Sequence, residues 1–358
     1  MSSPKPLVKG RGARSNASGR FEDRAREDFD DGWTVEDPQP AQLTTVILPD
    51  RAKTIITRNS SPDIHFDRSI NPYRGCEHGC IYCFARPNHA FLGLSPGLDF
   101  ESRLFFKPEA ARLLTAELSR KGYTPKHIQI GADTDPYQPL ERKLRVTRQV
   151  LEVLQRFNHP LTIITKSNLI ARDADILGEM GRAGLARAAI SITSLDRKLA
   201  RSMEPRAATP QRWLDAVRQL TAAGCPVVVM FAPVIPGLND HELEQVLEAS
   251  AEAGATAAGY VMIRLPLEIS DLFQEWLKTD HPDRADRVMS LIRQTRRGKT
   301  YTSDWGVRGR GEGPLADLVA ARFRAARKRY GLERPREPLD VSKFRVPARA
   351  GDQMDLFG

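Results

Sequence analysis

Between about residues 65 and 265 the chain alternates short apolar runs with longer amphipathic stretches. Five of the runs, at 127–131 (HIQIG), 161–165 (LTIIT), 188–193 (AAISIT), 226–231 (PVVVMF) and 258–263 (AGYVMI), are β-branched and almost continuously hydrophobic. That is the pattern of strands covered on both faces, as in parallel sheets. Amphipathic helices are predicted between them, at 108–120, 146–157, 172–182, 210–223 and 240–253. Thr209-Pro210 and Asn239-Asp240 supply suitable helix starts. A sixth short strand is expected around 64–69. Six βα units in series imply a parallel sheet with right-handed crossovers. Six rather than eight suggests a partial, open (β/α)6 barrel.

Outside this core the pattern changes. Residues 1–60 are polar, proline-bearing and aperiodic, and are expected to form a disordered extension. The barrel is assigned to 61–280, a helical basic C-terminal extension to 281–340, and a disordered tail to 341–358. The extension holds predicted helices at 282–294 and 314–330, preceded by one at 270–278. Between the last two lies a glycine-rich loop, Tyr301-Thr-Ser-Asp-Trp305-Gly-Val-Arg308-Gly-Arg310. It lacks a P-loop lysine pattern. An aromatic with arginines suits single-stranded nucleic acid, and sealing of the barrel's open side is the alternative.

Three of the four cysteines fall inside eight residues, as Cys76-x3-Cys80-x2-Cys83. The fourth, Cys225, precedes the fifth strand, at the other end of the barrel. A structural zinc site wants four closed ligands, and His65, His78 or His89 could complete one. A four-iron cluster held by three thiolates would leave one iron without a protein ligand. The cysteine loop follows the first strand, at the barrel end where chemistry gathers. Successive strand ends add Asp133, Thr134 and Asp135, then Lys166, then Ser191 and Thr193, whose alternate positions share one face of a strand. Carboxylates there can hold a cationic amine, and a lysine or hydroxyl can hold a carboxylate or ribose. The turn from Ala232 to Asp240 offers backbone groups for an adenine.

The chain of 358 residues carries a net charge of +9, concentrated at its two ends. Lys5, Lys9, Arg11, Arg14 and Arg20 stand in a stretch without acids, and Arg327-Lys328-Arg329 closes the last predicted helix. Polyanions respond to such a distribution. No apolar run approaches the roughly 20 residues of a membrane helix, and residues 1–20 lack the apolar core of a secretory signal. A reducing cytoplasm is the expected location.

The cysteine loop with Tyr82 before its last cysteine resembles the signature of radical S-adenosylmethionine (SAM) enzymes. Together with Asn71-Pro-Tyr-Arg-Gly75, Thr134-Asp-Pro-Tyr-Gln-Pro139, Thr165-Lys-Ser167, the Ser191 strand and Pro236-Gly-Leu-Asn-Asp240, it resembles the subfamily related to spore photoproduct lyase. The resemblance implies a [4Fe-4S] cluster on Cys76, Cys80 and Cys83. It further implies SAM bound beside Tyr82, Asp133, Thr134, Asp135, Lys166, Ser191 and Thr193. Reductive cleavage of SAM to a 5′-deoxyadenosyl radical, with flavodoxin or ferredoxin as electron donor, and hydrogen abstraction from a nucleic acid would follow. The chain departs from the lyase in having Gly131-Ala132-Asp133 where that enzyme carries a hydrogen-donating cysteine. A protein or small-molecule substrate, or a non-catalytic zinc module binding nucleic acid, are the other readings. The C-terminal Gln353-Met354-Asp355-Leu356-Phe357 resembles the peptide by which bacterial repair proteins dock on the sliding clamp.

Overall fold

A computed structural model describes residues 8–22, 43–334 and 337–348. Its strands, in chain order, are β1 (Val46–Pro49), β2 (Ile56–Arg58), β3 (Arg68–Ile70), β4 (Tyr73–Arg74), β5 (Arg103–Phe106), β6 (Ile128–Ile130), β7 (Leu161–Thr165), β8 (Ala186–Ile192), β9 (Val227–Val234) and β10 (Ala257–Met262). Seven of them form one sheet in the order β10-β9-β8-β7-β6-β3-β2. The six from β3 to β10 run parallel and in sequence order, with β2 antiparallel at the edge. This is the expected open barrel of six βα units. The short predicted strand at 64–69 falls instead at Arg68–Ile70, because the chain must first turn out of β2.

The crossover helices follow from their apolar stripes. Ala110–Leu118, Val146–Arg156, Ala174–Arg182, Pro210–Ala222 and Leu243–Glu252 cover the outside of the sheet. In β7, Leu161, Ile163 and Thr165 are buried beneath them, while Thr162 and Ile164 are partly open on the other face. A buried Leu or Ile contributes about 1.5–3 kcal/mol, so this register is firmly set. A second apolar cluster joins Cys80, Ile81 and Tyr82 to Phe273, Trp276 and Leu277 of the helix Ile269–Asp280 and to Ile292 of Ala285–Gln294. The cysteine loop therefore sits between the barrel and these helices.

The sheet does not close on itself; β10 and β2 are its two edges. The glycine-rich loop crosses between them. Met262 donates its N–H to the Gly309 carbonyl at 2.9 Å. Gly306 N–H and Arg308 Nε donate to Asp63, beyond β2, at 2.7 and 2.5 Å. Buried Arg296 ties the loop down through the carbonyls of Ile263, Val307 and Arg308.

Parts of the chain read as disordered are packed. Residues 8–22 lie against the cysteine loop, with Arg11 and Arg14 only 6% and 7% exposed. Within 43–60, β1 pairs with β5 and β2 with β3. At the other end Phe344 packs on Tyr123, Phe157 and His159, and Arg345 N–H reaches the Phe157 carbonyl at 3.0 Å. In all three stretches distant partners supply the stability that local periodicity does not show. The clamp-like residues Gln353–Phe357 lie outside the described residues.

Candidate active site

The cysteine loop is shaped by groups that leave no room for alternatives. Gly75 has φ +74°, and a Cβ there would sit 2.7 Å from Leu104 Cδ2 and 2.9 Å from the Phe100 carbonyl. Gly79 has φ +68°, with its Cβ position 2.7 Å from a Glu101 carboxylate oxygen. Only glycine takes such conformations without cost. Arg86, fully buried, wraps the loop from inside. Its Nε donates to the Cys80 carbonyl at 2.9 Å, and its Nη atoms donate to the carbonyls of Gly79, Pro96 and Gly97. Its charge meets buried Glu101 at 2.5 Å. Gln138 clamps the start of the loop, accepting from Glu77 N–H at 2.9 Å and donating to the Gly75 carbonyl at 3.1 Å.

Cys76 and Cys80 are buried and Cys83 is partly so. Burial, with neighbouring charges, pushes the Cys80 thiol well up and Cys83 to about 12. A bound cation reverses that balance and takes thiols as thiolates. Among the described residues no three His, Cys, Asp or Glu side chains, the three cysteines included, are grouped around one ion position. The candidate zinc histidines are placed elsewhere or engaged. His65 is exposed beyond β2, at the opposite end of the barrel. His89 Nε2 contacts the Arg103 carbonyl at 2.9 Å, and His78 Nδ1 lies 3.2 Å from Asp135. The donor set fits three corners of an iron–sulfur cluster.

The strand-end residues divide into two groups. Asp135 is fully used in holding the site. Its Oδ1 accepts from Tyr137 N–H at 2.8 Å and Thr165 Oγ1 at 2.6 Å, and its Oδ2 from Lys166 N–H at 2.7 Å. Burial would raise its pKa, but His78 and these donors lower it overall. Thr134 Oγ1 braces the Tyr73 carbonyl at 2.9 Å. The Asp133 N–H donates to Asn71 Oδ1 at 2.9 Å, but among the described residues its carboxylate meets only Asn88 Nδ2, through Oδ1 at 2.7 Å, which leaves Oδ2 available to a ligand. Burial raises its pKa.

Lys166, Ser191, Thr193 and Tyr82 come together, with one residue that the sequence reading missed. Lys166 Nζ donates to Ser191 Oγ at 3.0 Å, Thr193 Oγ1 at 2.8 Å and the Ala232 carbonyl at 3.0 Å. It also lies 3.1 Å from Glu204 and over the Tyr82 ring at 5.6 Å. Tyr82 and Thr193 hydroxyls both donate to Glu204 Oε1, while the buried Oε2 has no partner. Trp213 fixes the lysine from behind, donating Nε1 to its carbonyl at 2.6 Å. The Ala232–Asp240 turn contributes its first carbonyl and is pinned by Asn239, which donates to Thr193 and Pro233 carbonyls at 2.8 and 2.9 Å. Glu204 ends the unpredicted helix Arg197–Met203. A carboxylate at a helix C-terminus is electrostatically disfavoured, and that misfit was the available signal. An ammonium, three hydroxyls and a carboxylate with an orphaned oxygen make a site suited to a zwitterionic ligand.

Comparison with known proteins decides the family. The profile described as Radical SAM superfamily matches residues 70–249. The chain belongs to the radical SAM superfamily. An uncharacterised protein of Mycobacterium tuberculosis is 35% identical over 231 residues, covering 64% of this chain and 68% of its own. One from Methanocaldococcus jannaschii is 24% identical over 237 residues, covering 66% and 84%. The fold is similar to that of spore photoproduct lyase complexed with dinucleoside spore photoproduct, with a TM-score of 0.57 at 13% identity over 83% of this chain and 85% of that one. This chain is thus an enzyme of the radical SAM type, a family that uses SAM and a [4Fe-4S] cluster and needs a reductant. No helix among the described residues is long and apolar enough to cross a membrane. Cys225 is buried under the sheet before β9, its thiol 3.7 Å from the Pro226 carbonyl, away from the cysteine loop.

Proposed function

We propose that this enzyme binds its cluster through Cys76, Cys80 and Cys83, takes SAM at the strand ends beside it, and abstracts hydrogen from a nucleic acid. The observation that carries the reading is the convergence of Tyr82, Lys166, Ser191, Thr193 and Glu204 directly beside the buried cysteine loop. When bound, the reduced cluster supplies the electron that splits SAM into methionine and a 5′-deoxyadenosyl radical. This chain's residues do the positioning. Asp133 Oδ2 receives the amino group, and Lys166 with Ser191 and Thr193 faces the carboxylate or ribose, exchanging part of its contact with Glu204 for the ligand. Asp135 and Thr134 act indirectly, by fixing the backbone of Lys166 and Tyr73. Apolar clusters that take in Cys80, Ile81 and Tyr82 on one side and Cys76, Ala85 and Phe100 on the other exclude water from the reacting atoms.

Nucleic acid is favoured over a protein or small molecule by the net charge of +9 and by the fold shared with a lyase whose complex contains a dinucleoside lesion. The loop after β6 holds no cysteine, so a hydrogen-returning thiol relay from that position is not part of the proposal. The test is anaerobic reconstitution, iron analysis and 5′-deoxyadenosine release on reduction, with and without oligonucleotide. About four irons per chain are expected, with release stimulated by oligonucleotide. Lys166→Met should raise the SAM concentration needed for half-saturation at least tenfold and leave the iron content unchanged. A variant that loses iron and SAM binding together would show Lys166 to be structural. Cleavage of SAM that ignores every nucleic acid offered would return the substrate to the protein or small-molecule class.

A further inference from the structure

At the C-terminal end of β10, beside the cysteine loop, positive charge exceeds what the fold itself uses. Arg264 has no hydrogen bond or ion pair among the described residues, and its Nε is buried without a partner. Its guanidinium lies 5.2 Å from the ring centre of Phe84, the residue directly after Cys83. The nearby acids are already committed. Asp63 takes Gly306 N–H and Arg308 Nε, and Glu312 pairs with Arg297. Arg296, 1% exposed, meets carbonyls through its Nη atoms and no acid, and its Nε is buried without a partner. Its pKa is lowered by burial and by the charge of Arg264. Guanidinium groups that repel each other at a strand end, one of them unpaired, create a site that an anion would relieve.

Aromatic surface accompanies this charge. Phe84 is 46% exposed, and Trp305 on the crossing loop is 57% exposed with Arg308 stacked 4.1 Å from its ring centre. Arg296 Nη2 donates to the carbonyls of both Ile263 and Arg308, and Met262 N–H to that of Gly309, so the chain bearing Arg264 and the chain bearing Arg308 run side by side along the barrel's open side. Buried rings would be ordinary core; exposed rings paired with guanidinium groups form a platform for flat, negatively charged chains. A small phosphate ester would need the charge but not the rings.

We propose that Arg264 anchors a phosphodiester of an unpaired nucleic-acid strand, whose neighbouring bases stack on Phe84 and Trp305 as the strand approaches the barrel's interior. This deepens the proposed function and rests on it for the choice of nucleic acid. The crossing loop thereby serves both expected roles: it seals the open side and presents Trp305.

The experiment uses the reconstituted full chain and a fluorescein-labelled 12-nucleotide single strand, with inorganic pyrophosphate as competitor. Arg264→Gln should weaken binding at least tenfold, a loss of about 1.4 kcal/mol, with partial rescue by Arg264→Lys. Phe84→Leu and Trp305→Ala should each weaken it severalfold, and the duplex of the same sequence should bind less well. Arg329→Gln, on the last helix, should change affinity less than threefold. Iron content and SAM-dependent 5′-deoxyadenosine release without oligonucleotide should persist in all of them, which separates loss of this anchor from loss of the radical chemistry. Equal losses for Arg264→Gln and Arg329→Gln, no binding by the wild type, or no effect of either ring would overturn the proposal. So would pyrophosphate competing as well as the unlabelled strand at equal phosphate, since that marks a small-phosphate site.

Discussion

The two ends of the chain carry similar basic sequences, and the structure uses them in opposite ways. Near the N-terminus, Arg11-Gly-Ala-Arg14 is buried. Gly12 and Ala13 donate their N–H groups to the Glu101 carboxylate at 2.8 Å each, and Arg14 pairs with Asp280. This strap joins the cysteine loop to the helix Ile269–Asp280. Near the C-terminus, the helix Pro314–Arg329 buries only one stripe, including Val319, Phe323 and Ala326, and leaves Arg324, Lys328 and Arg329 exposed. Charge density alone does not distinguish them. What does is the presence of acids elsewhere in the chain with burial deep enough to demand a partner.

The strongest way to break this comparison is at Glu101, which is wholly buried and serves Arg86, Gly12 and Ala13 at once. Glu101→Ala strands the Arg86 charge, and removing one partner of a buried pair costs about 3–5 kcal/mol. Gly12→Val attacks the same contact from the strap, since a Cβ there would fall 1.8 Å from the Gly79 carbonyl oxygen. Both should lower the urea midpoint and the iron retained after reconstitution. If Gly12→Val left both unchanged, the strap would be a passenger and the two ends alike.

A second, smaller effect concerns acid. His89 lies on the strap side, in the short helix whose Ala90 packs near Gly19, and His159 lies under Phe344 at the other end. Burial lowers each to about 4. A histidine whose pKa falls on folding binds more protons when unfolded, so its contribution is present above about pH 6.5 and lost as the pH falls through 4. The two together should cost roughly 2–3 kcal/mol on going from pH 7 to pH 5.5. Urea melts across that window should show the slope, reduced in His159→Gln and in His89→Gln. An unchanged slope in both would place the acid sensitivity in carboxylates.

The barrel was legible because its strands are apolar on both faces and its helices have clear stripes; β7 matched its predicted span, 161–165. The cysteine loop was legible from its spacing, and the meeting of Lys166, Ser191 and Thr193 from their place at successive strand ends. Glu204 was not, because its partners Tyr82 and Lys166 lie in other βα units and its own helix is short. Asp135 was legible as a strand-end carboxylate but not in its use, since only the fold shows three donors already directed at it, with His78 Nδ1 3.2 Å away. The strap and Arg264 escaped for the same reason: whether an arginine is paired depends on which acids other arginines have claimed.

The mildest test sharpens the comparison from the C-terminal side. Replacing Arg324, Lys328 and Arg329 together by glutamine removes three exposed charges from a helix whose packing face remains intact. Lys328 and Arg329 stand in its last turn, where cations are worth about 0.3–1 kcal/mol each at low ionic strength and less in salt. Their exposure means that no buried group loses a partner. The expected cost in 0.15 M salt is therefore about 1 kcal/mol or less, against the several expected for Glu101→Ala. Iron content should not change. Single-strand affinity should fall less than threefold, with the dependence of log affinity on log salt flattened by less than one, because a non-specific phosphate contact contributes about 0.7 to that slope for a single strand. A flattening of two or more would mean that these side chains touch the nucleic acid directly. The C-terminal helix would then be a binding surface in its own right, and the ends would differ in partner rather than in burial.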